Sequence, residues 1–497
     1  MEIIVNSIRG RIIGCPEYVS KDLYKILSYR VYNYERMDAY INGIWDGYSR
    51  KFSLKTHSFP SGLLHRVKKY LDSRKIKYKI RDLRRTFSFD KKEILKNIDE
   101  FGLILRPYQI EGLIKGLRTF YMIYWWATAA GKTVQFAALI AAMKRAGKFR
   151  QTLILVTQKD LAAQHRIELE QMLGEEIGIV EEGRMEPRDV TVAVINTLWT
   201  KAVKKKEKKA LNFLERIECL ISDEVHHLIN SKMMKQTINK CKNTIVRHGF
   251  SGSPYSLTTD DIELECVTGP PLSKVSMSKL ITEGWVSRPI IYTVKYDSPF
   301  LGRISYQQAY QKGIVDNNWR NSAITKVGLK SYRDSDKSIL ILIRMIRHGK
   351  SLYDKLLDGG VDPRDIEYLH GSSHKIKRME VKEKFRRKEL RIVIASQIWN
   401  EGINVPTVDV LIKADGGGGK EVEGEKGVRS VVQQIGRVIR KPLGEDGEVD
   451  VEKENIVEVY DFVDNNHKDL RRHFFNRLAT YRMEKEFRIK ELDCENI

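Results

Sequence analysis

Residues 124–136 read YWWATAAGKTVQF and contain the motif that decides the fold. Gly131, Lys132 and Thr133 match the end of a phosphate-binding loop, whose full pattern is G-x-x-x-x-G-K-[ST]. Counting back from Gly131 places Trp126 where the first glycine should stand. The apolar run FYMIYWW precedes the motif and the helical run VQFAALIAAMKRA follows it, as such a loop requires. The alternative is an accidental Gly-Lys-Thr at the start of an ordinary helix.

A phosphate loop presents backbone N–H groups at a helix amino terminus, a lysine for the terminal phosphates and a hydroxyl for Mg²⁺. Lys132 and Thr133 would supply the last two groups. The predicted cofactor-binding residues of the loop are Thr128, Ala129, Ala130, Gly131, Lys132 and Thr133.

Two acids follow a second apolar strand. The run CLISDE ends in Asp223 and Glu224, about 90 residues beyond the loop. Carboxylates at the carboxyl end of a buried strand can hold Mg²⁺ and polarise an attacking water. The alternative is a strand-end turn with solvated acids, but the position after a phosphate loop favours a catalytic pair.

The segment QQIGRVIRK contains Gln433, Gly436, Arg437 and Arg440. Arginines three residues apart share a helical face, and guanidinium groups neutralise charge that develops on a γ-phosphate. A helix with surface arginines is the alternative, but it does not explain the glycine and glutamine.

Short, nearly all-apolar strands alternate with helical segments from about residue 100 onward, and the series begins again near residue 337. Such strands are typical of parallel α/β sheets. Residues 278–300 read as a crossover linker between the two series. The predicted organisation is a small basic α+β domain (1–95), a first sheet domain (96–285), a second sheet domain (286–465) and a helical tail (466–497).

The composition indicates what kind of partner the protein binds and in which cellular compartment it works. The 497 residues carry a net charge of +22, which favours a polyanion such as nucleic acid, with ribosomes or acidic membranes as alternatives. The five cysteines are scattered, and no run of 18 apolar residues or secretory leader is present. We therefore expect a soluble cytoplasmic protein, in the host cytoplasm if it is viral.

The ordered series RPYQ, ATAAGKT, VTQKDLAAQ, VINTLW, DEVH, SGSPY, ILILIRMIRHGKSL, IASQIWNEGINVP and QQIGRVIR resembles the motif set of superfamily 2 helicases and translocases over roughly residues 100–442. This resemblance implies two tandem RecA-like domains, with ATP and Mg²⁺ as cofactors. It implies catalytic roles for Lys132, Asp223, Glu224, Gln433, Arg437 and Arg440, with Arg440 as the arginine finger completing the site from the second domain.

The resemblance also implies further contacts. Arg106 and Gln109 resemble the adenine-reading motif, and Glu401 and Gly402 would join the nucleotide site. Thr133 and Asp223 would hold the metal. Ser251 and Ser253 resemble the element that couples hydrolysis to domain movement. The residues matching nucleic-acid contacts are Thr157, Gln158, Thr197, Arg347, His348 and Ser396.

Departures from the family pattern are Ala129 in place of glycine, Asn404 in place of aspartate, and DEVH in place of DEAD. The amino-terminal block INGIWDGYSRKFSL...FPSGLLHRVKKYL is similar to the basic domain of phage UvsW-type helicases, which remodel branched DNA. That likeness implies a monomeric motor on forked or branched DNA, acting in recombination, repair and branch migration. The alternatives are an RNA helicase, the motor of a restriction system, or a nucleic-acid-binding scaffold with an inactive ATP site.

Overall fold

The computed structural model describes the chain except for residues 85–89, 148, 150, 229–230, 253–260, 335, 372, 397–407, 417–425, 442–448 and 452–454. The chain divides into two compact units. The first comprises Met1–Trp126 and Gly131–Val275, and the second comprises Ala127–Ala130 and Ser276–Ile497.

The first unit begins with a small α+β module. Its elements are β1 (Glu2–Val5), β2 (Arg9–Ile13), α1 (Glu17–Ile26), β3 (Ser28–Arg30), α2 (Asp38–Ile41), β4 (Tyr48–Arg50), β5 (Ser58–Pro60), α3 (Leu64–Ser73) and β6 (Lys79–Asp82). In the described chain, four strands form a sheet in the order β5-β2-β1-β6, and β3 pairs with β4. Alternate residues of β2 are buried, so one face of this sheet covers a core.

The rest of the first unit is a parallel sheet with helices. Its strands are β7 (Tyr121–Trp126), β8 (Thr152–Val156), β9 (Gly178–Glu181), β10 (Arg184–Glu186), β11 (Val190–Val194), β12 (Cys219–Ser222), β13 (Val246–Ser251) and β14 (Pro271–Val275). Its helices are α4 (Lys91–Asp99), α5 (Pro107–Arg118), α6 (Lys132–Arg145), α7 (Lys159–Leu173), α8 (Ile195–Trp199), α9 (Lys208–Arg216), α10 (Lys232–Ile238) and α11 (Asp261–Thr268).

Within the described residues, this sheet has the order β10-β9-β11-β8-β12-β13-β7-β14. Adjacent strands in this sheet are parallel, except for the antiparallel pair β9 and β10. Every residue of β8, β11 and β12 is buried, as expected for strands covered on both faces. The carboxyl ends of β11, β8, β12, β13 and β7 therefore share one edge, and the residues that follow them are neighbours.

The amino-terminal module shares its core with α11. Ile262 and Cys266 of this helix pack among the module's buried side chains. A Cβ at Gly62 would lie 2.1 Å from the carbonyl oxygen of Glu265, so only glycine permits this backbone approach. The buried carboxylates of Glu263 and Glu265 accept hydrogen bonds from side chains of the module, so polar contacts reinforce the apolar ones.

The second unit repeats the parallel design. Its strands are β15 (Arg288–Lys295), β16 (Ile339–Ile343), β17 (Ile366–Leu369), β18 (Ile392–Ser396), β19 (Val410–Lys413), β20 (Ile456–Phe462) and β21 (Arg488–Asp493). Its helices are α12 (Met277–Thr282), α13 (Tyr306–Tyr310), α14 (Asn318–Arg333), α15 (Ile346–Asp358), α16 (Lys375–Arg386), α17 (Lys426–Val438) and α18 (Lys468–Met483). The described strands pair in the order β17-β18-β16-β19-β20-β15-β21.

The predicted fold class is confirmed, with two RecA-like parallel sheets, but the crossover linker is wrong. Residues 288–295 form β15, which pairs with both β20 and β21. The predicted helical tail contains α18 and then β21, so it also extends the sheet. Arg477 of α18 donates from Nε to Oδ2 of Asp461 at 2.8 Å, and both side chains are buried. This ion pair fixes the tail to β20.

Candidate nucleotide site

The phosphate-loop motif lies between β7 and α6, as its sequence context predicts. Trp126 ends β7, is fully buried, and donates from Nε1 to Ser273 Oγ at 2.8 Å. Gly131 precedes α6 with φ of 72°, and a Cβ there would lie 2.5 Å from Gln109 Nε2. Ala129 has φ of 70°, a left-handed conformation that is strained for alanine. The missing glycine therefore leaves strain in the loop.

Lys132 and the acidic pair meet at the shared carboxyl edge of the sheet. Lys132 Nζ donates to Glu224 Oε1 at 2.9 Å, although 92 residues separate them in the chain. Glu224 has φ of 42°, a second non-glycine residue in the left-handed region near this site. Asp223 Oδ1 accepts from the backbone N–H of Glu224. The lysine and the two acids thus form one cluster without any ligand.

His165 links the two predicted metal ligands, and no sequence motif identified it. Its Nε2 lies 2.9 Å from Asp223 Oδ2, and its Nδ1 lies 3.4 Å from Thr133 Oγ1. His165 is the seventh residue of α7, directly after the motif VTQKDLAAQ, and is only 4% exposed. The imidazole therefore fixes the orientation of Asp223. No sequence signal distinguishes His165, because a histidine on a helical face has no distinctive spacing.

Charges inside the cluster keep both acids ionised. Burial alone would raise the pKa of Asp223, but the hydrogen bond from His165 and the charge of Lys132 hold it well below its usual range. Burial likewise opposes ionisation of Glu224, and Lys132 lowers its pKa against the repulsion of Asp223. Both carboxylates are therefore available near neutral pH as a cation ligand and a proton acceptor.

The donors present here fit Mg²⁺. Asp223 and Thr133 offer carboxylate and hydroxyl oxygens, which a hard cation prefers. In the part of the chain that the structure describes, no group of three or more His, Cys, Asp and Glu side chains is placed to hold a metal. A Mg²⁺ ion here would accordingly rely on these few protein oxygens together with nucleotide phosphates and water, its usual mode at triphosphate sites.

The two residues predicted to read adenine are engaged with the loop and with each other. Gln109 Oε1 accepts from the backbone N–H of Arg106 at 2.9 Å, and Gln109 Nε2 donates to the Gly131 carbonyl at 3.4 Å. Arg106 Nη1 donates to the Tyr108 hydroxyl. These bonds place α5 beside the phosphate loop, while the adenine role stays a prediction.

A short contact connects the acidic pair to β13. His226 Nδ1 and Ser251 Oγ are 2.7 Å apart, and Ser251 is fully buried at the carboxyl end of its strand. His226 also lies 3.4 Å from Glu224 Oε2. The His226 imidazole therefore bridges Glu224 and the carboxyl end of β13.

Family profiles match two regions of the chain. Residues 102–256 match the profile described as "Type III restriction enzyme, res subunit", and residues 320–442 match "Helicase conserved C-terminal domain". Together these regions span more than half of the chain and contain the loop, the acidic pair and the arginine segment. The chain belongs to the superfamily 2 helicases.

Individual relatives are distant. A putative DNA 3'-5' helicase Rad25 of Haloarcula marismortui is 25% identical over 354 residues, covering 70% of this helicase and 52% of the relative. The ATP-dependent DNA helicase uvsW of Enterobacteria phage T4 is 24% identical over 450 residues, covering 86% and 85%. This helicase thus spans about half the length of the archaeal relative and most of the phage one.

A solved helicase structure shares the fold, and a second structure is matched more weakly. The DUF1998 helicase MrfA bound to DNA and AMPPNP superposes with a TM-score of 0.58 at 13% identity, covering 84% of this helicase and 56% of that chain. T4 UvsW gives a TM-score of 0.46 at 20% identity, covering 99% and 100%. No described helix of this helicase is long and apolar enough to cross a bilayer.

The predicted nucleic-acid contacts of the first unit follow strand ends. Thr157 and Gln158 come directly after β8, and Thr197 lies on α8 directly after β11. All three are half-buried. Since β8 and β11 are neighbours, these side chains occupy the same sheet edge as the acidic pair, and their contact with nucleic acid stays a prediction.

The residues of the second unit that are predicted to contact nucleic acid differ in how deeply they are buried. Arg347 is 55% exposed and pairs with Asp316. His348 is fully buried, with Nε2 2.8 Å from Asn321 Oδ1, and burial lowers its pKa to about 3. His348 therefore packs α15 against α14 instead of facing a ligand in this conformation. Ser396 is 8% exposed at the carboxyl end of β18.

The predicted γ-phosphate residues belong to α17 and the residues just beyond it. Gln433 and Arg437 are half-buried on this helix. Arg440 forms an isolated antiparallel bridge with Val286, which fixes the chain after the helix to the start of the second unit. Their roles toward nucleotide stay predictions, and Ser253, Glu401 and Gly402 lie outside the described residues.

Proposed function

We propose that this helicase uses ATP and Mg²⁺ to translocate on DNA and to unwind and remodel branched DNA, at forks and Holliday junctions, in recombination, repair and replication. The observation that carries the proposal is the cluster of Lys132, Glu224, Asp223, His165 and Thr133 at one sheet edge. It supplies a lysine for phosphate, oxygens for Mg²⁺ and an ionised carboxylate beside them.

In this proposal each side chain has a separate task. When nucleotide enters, Lys132 leaves its ion pair with Glu224 and binds the β- and γ-phosphates. Glu224 is then free to accept a proton from the attacking water. Asp223, held by His165, and Thr133 bind the cation. Arg437 and Arg440 stabilise charge that develops on the transferred phosphoryl group. A Mg²⁺ ion bound there would supply positive charge to the phosphate oxygens.

Three observations support DNA as the substrate. The archaeal and phage relatives carry names that describe DNA helicases. The net charge is +22, which suits a phosphate polymer. The amino-terminal module is joined to the first sheet through α11, so DNA held by the module would be positioned by the motor. We further propose that a monomer is the working motor.

A panel of nucleic acids tests the proposal. ATP hydrolysis and strand separation are measured with single-stranded, duplex, forked and four-way DNA, with RNA alongside. We expect the greatest stimulation by forked and four-way DNA and none in Lys132→Ala, whose circular dichroism should match wild type. Stimulation by RNA alone would replace DNA by RNA as the substrate. Hydrolysis that persists in Lys132→Ala would remove this cluster from the mechanism.

Translocation without unwinding would favour the second candidate, a motor of a restriction system. The family profile matched by residues 102–256 is named after such a subunit. Displacement of a triplex-forming strand from unbranched duplex, with no preference for forks, would distinguish this activity from junction remodelling.

A further inference from the structure

A basic groove lies between the amino-terminal module and the first parallel sheet. Two adjoining cavities of about 680 Å³ and 540 Å³ form it, and they share Ile8, Arg9 and Asn239 in their walls. Because the two cavities share these three wall residues, they adjoin beside Arg9. Each half is much larger than a single phosphate group.

Arg247 lines this groove and lacks the partners that a buried cation needs. Its side chain is on β13, and the residue is 3% exposed. Its Nε and Nη2 have no hydrogen-bond partner among the described residues. The guanidinium carbon lies 5.2 Å from the centre of the Tyr121 ring, which offers a cation–π contact but no acceptor. Buried unpaired charge is costly, so an anion at this position would be strongly stabilised.

The charges around Arg247 favour an anion. The charged side chains that line the 540 Å³ cavity are Arg9, Arg50, Lys51, Lys235, Arg247 and Glu263. The one carboxylate, Glu263, already pairs with Lys51 and Lys235. Arg50 pairs with Asp46, while Arg9 is exposed at the boundary of the two cavities. The 680 Å³ cavity is lined by Lys242, which is 64% exposed and pairs with Glu215, by Arg84, which pairs with Asp82, and by the carboxylate of Glu218.

The groove is remote from the nucleotide cluster. Arg247 is the second residue of β13, and Ser251 ends that strand at the edge where Asp223 lies. At about 3.3 Å per residue, Arg247 and Ser251 are about 13 Å apart along the strand. The groove therefore opens at the amino ends of the strands, opposite the edge that carries the helicase motifs.

We propose that this groove binds the phosphate backbone of a nucleic-acid strand, with Arg247 paired to one phosphate and Arg9 to a neighbouring one. The size of the two adjoining cavities and the cationic side chains in the walls of both favour a polymer over a free phosphate ion or a nucleotide. This site is a second nucleic-acid contact beside the motor motifs, and it rests on the proposed action on nucleic acid. A branched substrate has a second arm that can occupy it.

The test measures binding of the full chain to labelled forked DNA by fluorescence anisotropy without nucleotide, from 50 to 200 mM salt. Arg9→Gln and Arg247→Met should each weaken binding severalfold at low salt. Each should reduce the slope of log K against log salt by about 0.9, the value for one lost phosphate contact. The control Lys25→Gln removes an equal charge from the exposed end of α1, outside the groove, and should retain the wild-type slope.

Thermal unfolding separates binding from folding. Since Arg247→Met removes an unpaired buried charge, its Tm in phosphate-free buffer should equal or exceed that of wild type. A lowered Tm, together with wild-type binding by Arg9→Gln, would give Arg247 a structural role and overturn the proposal. Unchanged salt slopes in both variants would also overturn it.

Inorganic phosphate and AMP distinguish the source of the anion. If either raises the Tm of wild type but not of Arg247→Met, while all variants bind DNA equally, the site takes a small phosphate and the backbone assignment is refuted. Because binding is measured without ATP, the result is independent of hydrolysis. A chain without DNA-stimulated ATPase but with the expected slopes would refute the proposed motor and retain the groove.

Discussion

Glu265 of α11 provides a quantitative test of how the amino-terminal module is held. Its side chain is 6% exposed, and Oε2 lies 2.9 Å from His65 Nε2 and also accepts from Arg66 Nε. Burial would raise the pKa of this carboxyl, but the hydrogen bonds from His65 and Arg66 lower it from 4.5 to about 2. The ionised form is therefore favoured when the module is docked.

The lowered pKa sets the size and the pH range of the effect. A difference between 4.5 and about 2 corresponds to about 3 kcal/mol of docking free energy. Because the folded pKa is depressed, this stabilisation is complete above pH 4.5 and is lost as the pH falls through about 2. Glu265→Gln keeps the shape of the side chain and removes the charge, so it isolates this contribution.

Hydrogen exchange followed by mass spectrometry measures the opening of the module. At pH 7, Glu265→Gln should speed exchange in residues 58–73 about a hundredfold, since about 1.4 kcal/mol gives a factor of ten. At pH 3 the acceleration should fall to about tenfold, because the carboxyl is then about one pH unit above its docked pKa. Exchange is corrected for the intrinsic rate at each pH.

A matched control lies in the same module. Glu17 on α1 is 82% exposed and pairs with Lys21, so Glu17→Gln should leave exchange in residues 58–73 unchanged. The reasoning would be refuted by wild-type exchange in Glu265→Gln, or by an acceleration that does not decrease toward pH 3.

Three further changes have expected outcomes. Ala129→Gly should raise stability by about 1 kcal/mol in thermal unfolding, because it relieves a positive φ; an unchanged Tm would mean that alanine is unstrained there. His165→Ala should weaken calorimetric ATP binding about tenfold with Mg²⁺ and much less with EDTA, since Asp223 loses a charge-assisted hydrogen bond; equal losses would contradict this route. Asp461→Asn should cost about 2–3 kcal/mol in urea unfolding, because it removes the carboxylate charge that accepts from Arg477 Nε and Nη2 and leaves the more distant Asp464 as the carboxylate facing this buried cation. A near-wild-type midpoint would contradict that.

The local pattern was sufficient for the parallel sheets. Nearly all-apolar strands such as β8, β12 and β16 are buried on both faces. A continuous run of apolar residues is enough to predict burial of that kind. The same local pattern did not predict β15, whose residues were assigned to a linker. That strand reads RPIIYTVK, with Pro289 near its start and a charged residue at each end. Its place between β20 and β21 depends on pairing with strands far along the chain.

Within the candidate site, the motifs identified Lys132, Asp223 and Glu224 because lysine after glycine and acids after a strand have fixed spacings. They did not identify His165, whose contact with Asp223 spans 58 residues. The family resemblance also implied a nucleic-acid contact for His348; that role stays a prediction, and the packing of α15 on α14 buries the residue. A side chain's direction on a helix is set by its neighbours in space, which spacing alone does not specify.

The sequence by itself determined two parallel sheets, a variant phosphate loop ending in Gly131, and an acidic pair about 90 residues later, because each of these is encoded over a few consecutive residues. Only the tertiary structure decided that α11 completes the core of the amino-terminal module and that Arg247 lines a groove beside it. Both features join segments roughly 200 residues apart, and their energies depend on burial and on the partners available in space.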